Sequence, residues 1–162
     1  MQHDVDRVLI DREAIAGRVR ALAERITAEL GGGADGAGQI TLVPVLTGSF
    51  MFAADLMRHL PIRLRIQLMS VSSYPGRSTA SRGASLEQSL TNVPADLGGH
   101  HVLVIDDILD SGRTLKLVLD TLAGRGPASV RSCVLCRKQR ERAVEVEADY
   151  VAFDIPDAFV VG

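Results

Sequence analysis

Apolar positions along the chain change period several times, and each change marks an element. From Arg12 to Leu30 they fall at Ile15, Val19, Leu22, Ile26 and Leu30, spacings of three and four that predict an amphipathic helix with Asp11 as its N-cap. Ile40 to Leu46 is a continuous apolar run, a buried strand. Gly48 to Leu60 returns to helical spacing, with Phe52, Leu56, Met57 and Leu60 on one face, so Thr47-Gly48-Ser49 is the turn between the two. Ile62, Leu64, Ile66 and Leu68 then alternate with Arg63, Arg65 and Gln67, which predicts a half-buried strand to about Val71. The polar stretch Ser72 to Gly83, SSYPGRSTASRG, contains no regular period and has the length and composition of a binding loop or lid.

Further on, Val102 to Ile105 is an apolar strand, Thr114 to Ala123 a helix stopped by Gly124, and Val130 to Cys136 another strand. Tyr150 to Phe153 and Phe159 to Val161 are expected as shorter strands around the turn Asp154 to Asp157. Strands alternating with helices imply an α/β fold, a mostly parallel sheet with helices on both faces. Ligands in such sheets bind beyond the carboxyl ends of the strands, here the turns after Leu46, Ile105 and Cys136.

Composition agrees. A chain of 162 residues suits a single domain, and 46% hydrophobic residues with only 4% aromatic ones suit a core of branched aliphatics. Eighteen basic residues against twenty acidic ones leave no overall field for nucleic acid, so any phosphate must be held locally. The N-terminal residues Asp4, Asp6, Arg7 and Asp11 do not form a targeting signal, and no apolar run is long enough for a membrane, which points to a cytoplasmic protein. Cys133 and Cys136 form a C-x-x-C, but within a strand residues three apart point to opposite faces, so two reduced structural thiols are expected. Gly31 to Gly38, GGGADGAG, satisfies G-x-G-x-x-G yet follows a helix and precedes a strand, the wrong order for a phosphate loop. His100 and His101 follow Gly98-Gly99 and are assigned no role.

The chemistry concentrates in VLVIDDILDSGRTL, Val102 to Leu115. Small residues at a helix N-terminus present free backbone N–H groups and the positive end of the helix dipole, and Ser111 and Thr114 add hydroxyls, which suits a phosphate monoester. The adjacent acids Asp106 and Asp107 can accept from vicinal sugar hydroxyls or bind Mg²⁺ through oxygen. Together these groups fit a ribose 5-phosphate. A capping Asp-Ser pair would account for Asp110 and Ser111 but not for two further acids behind a buried strand.

This segment resembles the phosphoribosyl-pyrophosphate signature of type I phosphoribosyltransferases. Val45 to Phe52 resembles the pyrophosphate loop of the hypoxanthine-guanine branch of that family, Ala148 to Gly162 its purine-binding end, and Ser72-Ser73-Tyr74 the start of its long loop. The resemblance implies a Rossmann-like, mostly parallel sheet with helices on both faces plus a small hood. It implies that Asp106 and Asp107 engage the ribose hydroxyls and Mg²⁺, and that Asp110, Ser111, Gly112, Arg113 and Thr114 cradle the 5-phosphate. Leu46, Thr47 and Gly48 would hold pyrophosphate, and Ser73 and Tyr74 would root a closing lid.

Asp110 would be the general acid/base at purine N7, Lys138 the donor to the exocyclic oxygen at C6, Phe159 a stacking partner and the Val160 main chain a contact to the base edge. Lys138 also belongs to the charge run RKQRER, and apart from the resemblance it reads more readily as a solvated strand end. The implied reaction joins hypoxanthine or guanine to phosphoribosyl pyrophosphate in a homodimer or homotetramer, with no nucleic acid or membrane partner. Xanthine or another base, or an RNA-binding regulator on the same fold, are the alternatives. Two departures from the family stand out. Thr47 occupies a position usually basic, at a turn where a non-proline cis peptide between Leu46 and Thr47 is expected. Relatives also continue past the position of Gly162 with a further Mg²⁺-binding acid and a pyrophosphate-binding arginine.

Overall fold

The computed structural model describes residues 7–31, 40–71 and 90–161. Its elements are α1 (Arg12–Leu30), β1 (Ile40–Leu46), α2 (Phe50–Arg58), β2 (Leu64–Ile66), β3 (Met69–Val71), β4 (Leu90–Thr91), β5 (His101–Leu109), α3 (Arg113–Ala123), β6 (Ser129–Lys138) and β7 (Tyr150–Ile155). The lid residues Ser73 and Tyr74, and most of the glycine-rich stretch after α1, lie outside the described residues.

The strands form one sheet in the order β4-β3-β1-β5-β6-β7, with β2 also paired to β1. All pairings are parallel except β3 with β4. Period-two alternation along the strands splits the core in two. Ile40, Leu42, Leu103, Ile105 and Cys133 face α1 and α2; Val43, Val45, Val102, Val104 and Val134 face Leu115, Val118 and Leu122 of α3. Helices therefore cover both faces, as the alternation of elements predicts.

Helix α1 begins where expected, its Ala14 N–H donating to Asp11 Oδ1 at 2.8 Å. Burial of Val19, Leu22, Ile26 and Leu30 stabilises it by roughly 1.5–3 kcal/mol per side chain, against roughly 1 kcal/mol for the cap, so packing dominates. Tyr150 ties its far end to the sheet: the buried hydroxyl donates to Glu29 at 2.8 Å and accepts from Arg131 at 2.8 Å, while Arg25 lies 4.9 Å from the ring centroid. His100 and His101 find hydroxyl partners at the start of β5, Thr41 at 2.8 Å and Ser129 at 2.7 Å.

Four expectations need correction. The strand expected over Ile62 to Val71 is broken into β2 and β3. Gln67 donates to the Leu42 carbonyl at 2.9 Å, but Pro44, pointing the same way two residues on, has no N–H for the next rung, and pairing resumes only at Val45 with Met69. Ile66 and Leu68 are accordingly exposed rather than half-buried. The strand expected to end at Ile105 runs to Leu109, because Ile108 and Leu109 remain paired with Cys136 and Arg137. Its neighbour likewise continues past Cys136 to Lys138, held by Arg137 and Lys138 pairing with Asp154 and Ile155. No strand forms over Phe159 to Val161, which pairs with no strand among the described residues; β7 instead extends to Ile155.

Candidate active site

The carboxyl ends of β1 and β5 and the N-terminus of α3 meet at one end of the sheet. A cleft of about 150 Å³ opens there, lined by Asp106 through Gly112 with Thr114 and Leu115. The expected sugar-phosphate residues are thus brought together, except that Arg113 opens α3 and is exposed outside the lining.

The two acids differ because successive strand residues face opposite ways. Asp106 is buried, its Oδ1 accepting from the Asp107 N–H at 3.0 Å, and burial together with the neighbouring Asp107 carboxyl pushes its acid up to about 8. Asp107 is half-buried, accepts from the Ile108 N–H at 2.9 Å, and rests against Gly48 of the β1–α2 turn. A Cβ on Gly48 would stand 2.7 Å from Asp107 Cγ, so only glycine allows this approach. The expected pyrophosphate turn and sugar acids are therefore in direct contact. The Leu46–Thr47 peptide is cis, as expected. Thr47 and Gly48 are exposed, and the buried Ser49 hydroxyl donates to the Val45 carbonyl at 2.7 Å, which fastens the turn from within.

The turn before α3 is shaped by Gly112, at φ +80, where an added Cβ would lie 2.7 Å from Val146 Cγ1 and 3.1 Å from the Val144 carbonyl. Ala143 and Val144 both donate to the Ser111 carbonyl, at 3.2 and 3.4 Å, so the segment after β6 packs over the back of the cradle. The sequence gives little warning of this. Ala143, Val144 and Val146 match no motif, and only the half-buried alternation of Val144, Val146 and Ala148 hints at a packed edge.

Asp110 and Lys138, 28 residues apart, form an ion pair, with Lys138 Nζ donating to Oδ2 at 2.8 Å. Arg140 adds a second bond to Asp110 Oδ1 at 3.2 Å, and Asp157 lies 3.4 Å from Arg140 and 3.8 Å from Lys138. Lys138 first, then Arg140, holds the Asp110 carboxyl below the usual carboxylate range. Lys138 is thus no solvated strand end; its side chain is 12% exposed. The charge run divides: Arg137 and Arg142 turn to Asp154 and Glu147, while Lys138 and Arg140 turn to Asp110. Arg140 and Asp157 are additions that spacing alone does not single out. The Phe159 ring is 92% exposed and Val160 half-buried, and neither is among the residues that line the cleft.

A strand-borne pair of acids beside a cleft at a helix N-terminus, at one end of a mostly parallel sheet, is the site of an α/β protein, and comparison with known proteins specifies which. Residues 9–162 match the phosphoribosyl transferase domain, and the chain belongs to that family. The hypoxanthine-guanine phosphoribosyltransferase of Streptococcus pneumoniae is 36% identical over 162 residues, 100% of this chain and 86% of the relative. That of Mycobacterium tuberculosis is 39% identical over 160 residues, 98% of this chain and 78% of the relative. Among solved structures, a hypoxanthine phosphoribosyltransferase variant from Trypanosoma cruzi in a ternary substrates complex superposes with a TM-score of 0.84 at 34% identity, covering 99% of this chain and 87% of that one. The fold is the type I phosphoribosyltransferase fold.

Proposed function

We propose that this chain is a purine-salvage enzyme that transfers phosphoribosyl from phosphoribosyl pyrophosphate to hypoxanthine or guanine, giving IMP or GMP and pyrophosphate. The observation that carries this reading is the Lys138–Asp110 pair at 2.8 Å on the rim of the cleft. A donor suited to the oxygen at C6 and a carboxylate suited to N7 stand side by side. The full-length likeness to hypoxanthine-guanine phosphoribosyltransferases supports it.

The residues divide the work. Backbone N–H groups from Ser111 to Thr114, with the Ser111 and Thr114 hydroxyls, receive the 5-phosphate at the start of α3. Asp107 and Asp106 accept from the ribose hydroxyls, and Thr47 and Gly48 meet the pyrophosphate through the turn that Asp107 touches. Lys138 donates to the base oxygen, Asp110 holds or accepts the N7 proton, and Val160 meets the base edge through its main chain, with Phe159 stacking on the base. Holding both substrates in line supplies roughly 7–11 kcal/mol of the barrier reduction. Ser73 and Tyr74, which the resemblance assigns to a closing lid, lie outside the described residues.

The acids fit Mg²⁺. Asp106 and Asp107 are adjacent carboxyls with no cation paired to them among the described residues, and no described group of three His, Cys, Asp or Glu side chains makes a cage of its own. That suits an ion completed by water and substrate oxygens. When bound, Mg²⁺ supplies charge stabilisation to the departing pyrophosphate.

No helix among the described residues is long and apolar enough to cross a membrane. A cytoplasmic single-domain chain assembling as a homodimer or homotetramer completes the reading, and sedimentation showing only monomer would reject the assembly. The decisive test of function is an initial-rate comparison over hypoxanthine, guanine, xanthine, adenine and uracil with phosphoribosyl pyrophosphate and Mg²⁺. Hypoxanthine or guanine is expected to lead, and preference for adenine or uracil would overturn the reading, because Lys138 recognises an oxygen at C6.

A further inference from the structure

Four charged side chains close a ring at the rim of the cleft. Lys138 Nζ lies 2.8 Å from Asp110 Oδ2 and 3.8 Å from Asp157 Oδ1; Arg140 Nη1 lies 3.2 Å from Asp110 Oδ1 and 3.4 Å from Asp157 Oδ1. Each cation faces both acids, and Asp110 gives one oxygen to each cation. The resting pair therefore engages the two groups that an incoming oxopurine needs free. Lys138 must turn from Oδ2 to the base, and Oδ2 must turn to N7.

We propose that Arg140 is a positioning residue for this exchange, holding Oδ1 of Asp110 so that the carboxylate keeps its orientation and a counter-ion while Lys138 leaves Oδ2 for the base. The inference rests on the salvage reading above. Geometry supports it on three counts. Arg140 and Lys138 take different oxygens of Asp110, so one departs without disturbing the other. Asp157 sits between the two cations and offers Lys138 an alternative acceptor as it moves. Arg140 also turns away from Glu147 and Asp154, the acids that occupy Arg137 and Arg142 of the same run. Among the described residues, the charged groups in reach of Asp110 are Lys138 from β6, Arg140 just beyond it and, across them, Asp157 after β7. Both cations lower the Asp110 carboxyl, Lys138 the more strongly.

Without Arg140, Asp110 would be held by Lys138 alone, so release of Lys138 to the base becomes harder and base binding weakens. Arg140 and Asp110 are 43% and 38% exposed. A pair so open to solvent is worth up to about a fivefold change in an equilibrium, and the effect should be of that size.

The test is steady-state kinetics with hypoxanthine, phosphoribosyl pyrophosphate and Mg²⁺ on the wild type, Arg140→Gln, Arg140→Lys and, as a control for charge removal elsewhere, Arg20→Gln on the exposed side of α1. Arg140→Gln should raise KM for hypoxanthine by about two- to fivefold, move the acidic limb of kcat/KM to higher pH, and leave KM for phosphoribosyl pyrophosphate unchanged. Arg140→Lys should bring the acidic limb back toward the wild type, and Arg20→Gln should match the wild type throughout. A wild-type hypoxanthine KM and acidic limb in Arg140→Gln would overturn the inference, as would an equal loss toward both substrates, the mark of a merely structural role. A wild type that turns over no purine would remove the salvage reading and this inference with it.

Discussion

The carboxylate of Asp107 lies directly on the Cα of Gly48, joining the end of β5 to the turn after β1. Any side chain at position 48 displaces Asp107 or pushes the turn outward, separating the groups assigned to sugar and pyrophosphate. Gly48→Ala is expected to lower kcat/KM for phosphoribosyl pyrophosphate at least tenfold, about 1.4 kcal/mol, while the thermal midpoint changes little, since the turn is exposed. Initial rates beside a melting curve check this; unchanged donor kinetics would show that the contact has no part in donor binding.

Asp110→Asn removes the proposed proton acceptor and keeps the shape. Turnover should fall by roughly 10²–10⁴, with the affinity for phosphoribosyl pyrophosphate held within a few-fold because the cradle is largely backbone. Calorimetric titration of the donor alongside single-turnover rates separates the two effects. Turnover close to the wild type would leave Asp110 only its ion pairs with Lys138 and Arg140.

Cys133 and Cys136 are both free and buried, on opposite faces of β6. Burial pushes the Cys133 thiol up to about 12, and burial with the nearby Asp107 charge raises Cys136 as well. At pH 9 the native protein should resist iodoacetamide at both positions and react at both when unfolded. An unfolded thiol loses its proton near 9 while native Cys133 keeps it, so the native state holds more protons and stability falls from pH 9 toward 12. Cys133→Ala should flatten that slope, whatever it costs in packing. Rapid native labelling at pH 9 would contradict the burial.

What the chain discloses before folding is what depends on near neighbours. The period of α1, the apolar run of β1 and the Asp110–Thr114 turn are each written in consecutive residues, and the structure has each of them where the pattern predicts. Partners distant in sequence decide the remainder. Asp106 and Asp107 read as a turn because two acids end an apolar run, yet pairing of Ile108 and Leu109 with β6 keeps them inside the strand. Lys138 and Asp110 can each be singled out by resemblance, but their ion pair requires the β5–β6 register. The break at Pro44 had a visible cause in a residue without an N–H, whereas Phe159 to Val161 has strand-like composition but no pairing strand among the described residues.

The extension of β5 through Leu109 has one more consequence. The acids assigned to the sugar are carried by a central strand, whereas Lys138 ends β6, and Phe159 and Val160 lie in coil beyond β7. On the proposed roles, donor handling sits on a strand in the middle of the sheet and base choice on a strand end and the coil beyond β7. Such a division lets the strand end and coil be rewritten, by grafting or by drift, to accept a different base while the machinery that activates the sugar stays in place.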